Sequence, residues 1–135
     1  MEEPFEEIEH TADIAIRVWG ADFAELFRHA ALGMASQLTD VDTVPVETAL
    51  TIELQAADVE MLLIEWLGEL LYLGEKHEVV FTQFDILEVE DTALRAVARG
   101  GPVPRLDHHI KAVTFSEVDV KRIGSGYGTT VVFDV

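Results

Sequence analysis

Two aspartates stand where charge is expensive. Asp13 sits between Ala12 and Ile14 in an apolar stretch, and Asp134 follows Val131-Val132-Phe133 and precedes Val135. An isolated carboxylate is costly to bury, so each should be exposed at a strand end or paired. If the first and last strands bring these ends together, Asp13, Asp134 and the terminal carboxylate of Val135 form a cluster of hard oxygen donors. Calcium, magnesium and manganese prefer such donors. Two solvated strand-end aspartates are the plainer alternative. One lysine, Lys111, stands in the stretch Ile110-Lys111-Ala112-Val113-Thr114-Phe115. By itself it reads as an edge-strand lysine that discourages aggregation.

Other chemistries fail on context. Gly124-Ser125-Gly126-Tyr127-Gly128 resembles a phosphate cradle, but such a loop must open a helix, and here a strand follows. A hairpin loop is expected instead. Asp40-Val41-Asp42 starts like a calcium loop without its glycine or distal glutamate. Glu65 and Glu69 lie one helical turn apart with no histidine at the matching position, and read as a polar helix face. His108 and His109 are adjacent strand residues that should point to opposite faces, so one ion cannot easily be shared. No serine lies in a nucleophile-elbow context. The absence of cysteine removes disulfides, thiolate zinc sites and cysteine nucleophiles together.

The net charge of −17 argues against a protein that grips bare nucleic acid tightly, because that mode needs clustered cations. The charge is uneven. Residues 1–94 carry three basic and 22 acidic side chains, a net of −19, whereas residues 95–135 carry six and four, a net of +2. An anion is therefore best received in the C-terminal third. No apolar run approaches a bilayer span, and the acidic start Met1-Glu2-Glu3-Pro4 has no signal-peptide core. A cytoplasmic protein without a membrane partner is expected.

The elements that must position these groups can be read from periodicity. Asp22–Leu38 places Phe23, Leu26, Phe27, Ala30, Met34 and Leu38 on one helical stripe. Asp22 is the expected N-cap, with Glu25 reaching back in a capping box. A second helix is expected from about Asp58 to Gly74, with Val59, Leu62, Leu63, Trp66, Leu67 and Leu70 on its stripe. It is apolar enough to require cover or a partner. Strands are expected at Ile14–Val18, Leu50–Ala56 and Thr129–Val135, and as a hairpin of Phe84–Glu90 with Ala93–Arg99. Gly100–Pro104 should be a loop. Residues 109–115 should alternate between two faces, and Val118–Lys121 should continue extended. The expected fold is α+β: a single two-layer domain over residues 1–135, with two helices packed on one face of a mostly antiparallel sheet.

Taken in order, several segments resemble the archease family. They are His10-Thr11-Ala12-Asp13-Ile14, Glu25-Leu26-Phe27 with Ala30-Ala31-Leu32-Gly33-Met34, Leu62 to Tyr72, Ile110-Lys111-Ala112-Val113-Thr114, and Phe133-Asp134-Val135. The resemblance implies a non-enzymatic activator of the RNA-splicing ligase that joins tRNA halves, promoting guanylylation of the ligase and its multiple turnover. It implies a divalent-cation site at Asp13, Asp134 and Val135, calcium first, with magnesium or manganese as the other choices. Lys111 and His10 are implied in ligase activation, and GTP is used by the ligase rather than held tightly by this chain. Two other functions compete: a small metal-dependent phosphoesterase and a general chaperone-like assembly module. The chain departs from the family pattern at Ser116, where histidine is frequent, at Gly68, where asparagine is frequent, and in a short 100–109 loop.

Overall fold

Two aspartate caps set the helices. In the computed structural model, which describes residues 4–8 and 13–135, helix α1 spans Phe23–Leu38 and helix α2 spans Val59–His77. The Asp22 carboxylate accepts the Glu25 N–H at 2.8 Å, and the Asp58 carboxylate accepts the Met61 N–H at 2.8 Å. Each bond satisfies one main-chain donor that the first helical turn leaves unpaired. Glu25 reaches back one residue further than a capping box requires, accepting the Ala21 N–H at 3.0 Å.

Helix α2 runs three residues past its expected end. Glu78 adopts the left-handed conformation at φ 57°, its N–H bonds to the Glu75 carbonyl, and the Val79 N–H bonds to the Gly74 carbonyl at 2.9 Å. This is a Schellman termination. Gly74 has a different role from the stop expected of it: a Cβ there would lie 2.9 Å from the Val79 carbonyl oxygen.

The strands form two sheets where one was expected, and every pairing is antiparallel. The larger sheet contains β1 (Phe5–Ile8), β2 (Asp13–Gly20), β6 (Ala112–Thr114), β7 (Lys121–Ile123) and β8 (Gly126–Asp134). Its order is β1-β2-β8-β6, with β7 also paired to β8. The smaller contains β3 (Thr48–Gln55), β4 (Val80–Glu90) and β5 (Ala93–Gly101) in the order β3-β5-β4. Both helices pack against both sheets, α1 chiefly on β2 and β4, so the α+β layering holds with a divided sheet layer. Ile14, Ile16, Val18, Val131 and Phe133 enter the core from the larger sheet, and Ile52, Phe84, Leu94, Ala96 and Ala98 from the smaller. Trp66 joins the helices across this core, its indole N–H donating to the Phe27 carbonyl at 3.0 Å.

Local departures from the expected strands have local causes. Strand β5 continues through Gly100 and Gly101, which pair with Thr48, Phe81 and Val80, and glycine is required there because a side chain would strike the Val80 and Pro45 carbonyls. Only Ala112–Thr114 of the 109–115 stretch is strand: Ile110 drops into the core instead of alternating. Residues 118–120 leave the ladder because side chains take their donors. Asp119 N–H bonds to Thr129 Oγ1 at 3.0 Å, and Val120 N–H to Glu60 Oε2 at 2.9 Å. The glycine-rich segment after β7 is a hairpin turn with Gly124 at φ 60°, as its context required. Asp40 merely caps a single 3-10 turn over Val41–Thr43, accepting the Asp42 N–H at 3.1 Å. No helix of the structure is long and apolar enough to cross a membrane, among the described residues.

Candidate functional site

Strands β2 and β8 bring the two singled-out aspartates together. Their register pairs Asp13 with Asp134, Ile14 with Phe133 and Ile16 with Val131. Because strand side chains alternate, the pairs that fill the core leave Asp13 and Asp134 side by side on the face turned away from the helices. Asp13 is half-buried and Asp134 exposed. Val135 follows directly and is also exposed.

The lysine arrives from the other flank of β8. Ala112 pairs with Asp134, and the Lys111 N–H donates to the Asp134 main-chain carbonyl at 2.7 Å. Lys111 and Asp134 are thus tied through the backbone, while the Lys111 side chain borders a shallow groove beside Gly68, Leu71 and Tyr72 of α2. Four of the five candidate residues therefore lie at one end of one sheet, the two aspartates on the face away from the helices and the Lys111 side chain toward α2. The fifth, His10, lies outside the described residues.

Among the described residues no three His, Cys, Asp or Glu side chains gather as a metal site would require. The side-chain donors at the sheet end are two carboxylates. Such a pair suits a hard cation whose remaining ligands are main-chain oxygens, water or groups brought by a partner.

The basic C-terminal third is mostly spent on local pairing. Arg95 contacts Glu88 at 2.9 Å, Arg99 pairs with Asp85, and Lys121 lies 3.6 Å from Asp119. Arg122 lies over the Tyr127 ring, 5.4 Å from its centroid. That leaves Arg105, Lys111 and Arg122 as the cations of this third without an ion pair, among the described residues, and Arg122 is held by Tyr127. Arg105 and His109 line a separate apolar cavity of about 230 Å³ beside Met34, Leu70 and Phe81, away from the carboxylates. The Ser116 hydroxyl lies 2.9 Å from the Thr114 hydroxyl just beyond β6.

The archease protein family (MTH1598/TM1083) matches residues 5–135. The chain belongs to the archease family. Protein archease of Methanosarcina acetivorans is 37% identical over 139 residues, covering 97% of this chain and 95% of the relative. That of Methanopyrus kandleri is 35% identical, covering 98% and 99%. The solution structure of Methanobacterium thermoautotrophicum protein 1598 superimposes with a TM-score of 0.82 at 28% identity, over 99% of this chain and 100% of that one. A Thermotoga maritima crystal structure, described as an archease and possible chaperone, shares the fold at a TM-score of 0.68 and 23% identity, over 100% and 98%.

The archease surface also carries a groove between α2 and β6 that periodicity alone does not reveal. Tyr72 is 58% exposed and stands across a groove from Lys111. The signal available in the sequence was Gly68, a helix-disfavouring residue in the middle of an otherwise strong helix.

Proposed function

We propose that this archease is a non-enzymatic protein cofactor of the RNA-splicing ligase that joins tRNA halves, promoting guanylylation of the ligase and its repeated turnover. Family membership supports the reading. The single observation that carries the site is the direct cross-strand pairing of Asp13 and Asp134 with Lys111 bonded to the same residue.

The donor set fits a divalent cation at an open site. Asp13 and Asp134 would hold it through carboxylate oxygens, and a main-chain oxygen of Val135 would add a third donor. Calcium, magnesium and manganese all accept such ligands. Bound there, the cation would supply positive charge to phosphate oxygens of the nucleotide that the ligase consumes. Lys111 supplies a compact ammonium beside this end, suited to a phosphate or a carboxylate as a point charge. The acidic body would steer the chain toward the basic cleft in which a ligase receives RNA. GTP is thereby used by the ligase, and this chain need not grip RNA itself.

The two competing functions have weaker support. A chaperone-like role would draw on the apolar surface of α2, yet Leu62, Leu63, Ile64, Trp66, Leu67 and Leu70 are buried within the fold. A phosphoesterase would need a positioned base or further metal ligands beside the two carboxylates, and no such third side chain gathers among the described residues.

Multiple-turnover ligation with Asp13→Ala, Asp134→Ala and Lys111→Ala tests the reading. Each variant is expected to lose stimulation by about tenfold or more, the equivalent of one charge-assisted contact. Full stimulation by all three would remove the site assignment. Turnover of a generic phosphodiester by the chain alone would favour the hydrolase instead.

A further inference from the structure

The helices contain three glycines, Gly33 in α1 and Gly68 and Gly74 in α2, and Gly68 alone has no explanation within the chain. A Cβ on Gly33 of α1 would lie 2.8 Å from Ile16 Cδ1 and 3.1 Å from Phe5 Cγ, so packing on the larger sheet excludes it. A Cβ on Gly68 of α2 would meet nothing within 4 Å. Glycine is among the least favourable residues in a helix interior, and no internal contact offsets its use here. A group approaching from outside would.

Gly68 forms part of one wall of a groove of about 350 Å³, with Tyr72 beside it, Lys111 and Val113 on the opposite wall and Glu75 also lining it. Strand β6, which supplies the second wall, is the outermost of its row, and among the described residues it pairs with β8 alone. An outer strand with an unpaired main-chain edge is a template for an added strand. Glu75 repels an acidic guest, so a guest carboxylate belongs at the Lys111 end. Lys111 is exposed there without an ion pair among the described residues. A second copy of this chain is a poor guest, since each copy carries a net charge of −17.

We propose that the groove between α2 and β6 receives an extended segment of the ligase, which adds to the β6 edge, seats an apolar side chain over Gly68 and presents a carboxylate to Lys111. The inference rests on the ligase-cofactor reading and assigns that reading a docking surface. The groove lies on the α2 side of the same sheet end whose opposite face carries the carboxylates, because the Lys111 N–H is bonded to the Asp134 main-chain carbonyl at 2.7 Å. Docking and the cation site would therefore act on one partner together.

Titration calorimetry of the purified RNA-splicing ligase with Gly68→Ala and Gly68→Trp tests this. Both variants should melt at or above the wild-type temperature, since each removes a helix-interior glycine into open space. Affinity should fall in order of size, by about tenfold or more for Gly68→Trp. A folded Gly68→Trp protein that binds the ligase with wild-type affinity overturns the groove, while the cofactor reading stands as long as the wild type still stimulates ligation. A wild-type chain that neither binds nor stimulates the ligase overturns both. Self-association of the wild type that Gly68→Trp abolishes would give the groove to a second copy and overturn the ligase segment.

Discussion

Asp13 and Asp134 stand directly opposite each other on β2 and β8, two carboxylates in one cross-strand pair. Like charges so placed weaken a strand ladder, and a cation between them reverses the sign of the interaction. The pair closes one end of a sheet whose neighbouring pair, Ile14 with Phe133, is in the core.

Calcium should therefore raise the melting temperature of the wild type. Saturation at about a hundredfold over the dissociation constant corresponds to about 2.7 kcal/mol of stabilisation. Asp134→Asn should abolish the calcium shift, while melting at or above the wild type in chelator because the like-charge pair is gone. Scanning calorimetry in calcium and in chelator checks both. An unchanged calcium shift in Asp134→Asn removes this residue from the site.

Lys111→Ala separates function from stability. The side chain is exposed and its main-chain bond to Asp134 survives the substitution. Denaturant midpoints should stay within about 0.5 kcal/mol of wild type, as for most surface changes. Stimulation of the ligase should fall by about tenfold or more if the ammonium meets a charged group on the partner. A large loss of stability would make its role structural.

Trp66→Phe tests the joint between the helices. The indole is fully buried and its N–H donates to the Phe27 carbonyl at 3.0 Å. Loss of that bond leaves a buried carbonyl short of a donor and removes ring volume, for a combined penalty of about 2–4 kcal/mol. Urea unfolding measures it.

Glu78→Gly should stabilise the chain. Glu78 is the one non-glycine residue with positive φ among the described residues, and it ends α2 in the left-handed conformation. Glycine adopts that conformation without the Cβ penalty, so a gain of about 1 kcal/mol is expected. A loss would mean that the Glu78 side chain contributes more than its backbone strain.

The helices and the aspartate pair were legible in the sequence because the signals are local or lie on strands with strong alternation. Asp22 and Asp58 precede apolar stripes, and Ile14, Ile16, Val131 and Phe133 each mark an inward face. Which strands neighbour one another is a non-local matter, so neither the separation into two sheets nor the addition of Phe5–Ile8 as β1 could be read from periodicity. The irregular path at 118–120 depends on Glu60 and Thr129, the first sixty residues before Val120 in the chain. Lys111 was identifiable as a residue, but its bond to Asp134 comes from the short pairing of β6 with β8. The Gly68 groove was hidden for the same reason: its two walls come from segments about forty residues apart.

The most direct measurement is the rate of guanylylation of the RNA-splicing ligase with and without this chain, using GTP and each of calcium, magnesium and manganese. The wild-type chain should accelerate formation of the guanylylated ligase by about tenfold or more (about 1.4 kcal/mol). The double variant Asp13→Ala, Asp134→Ala, folded by circular dichroism, should not. A guanylylation rate that the wild-type chain leaves unchanged would contradict the cofactor role.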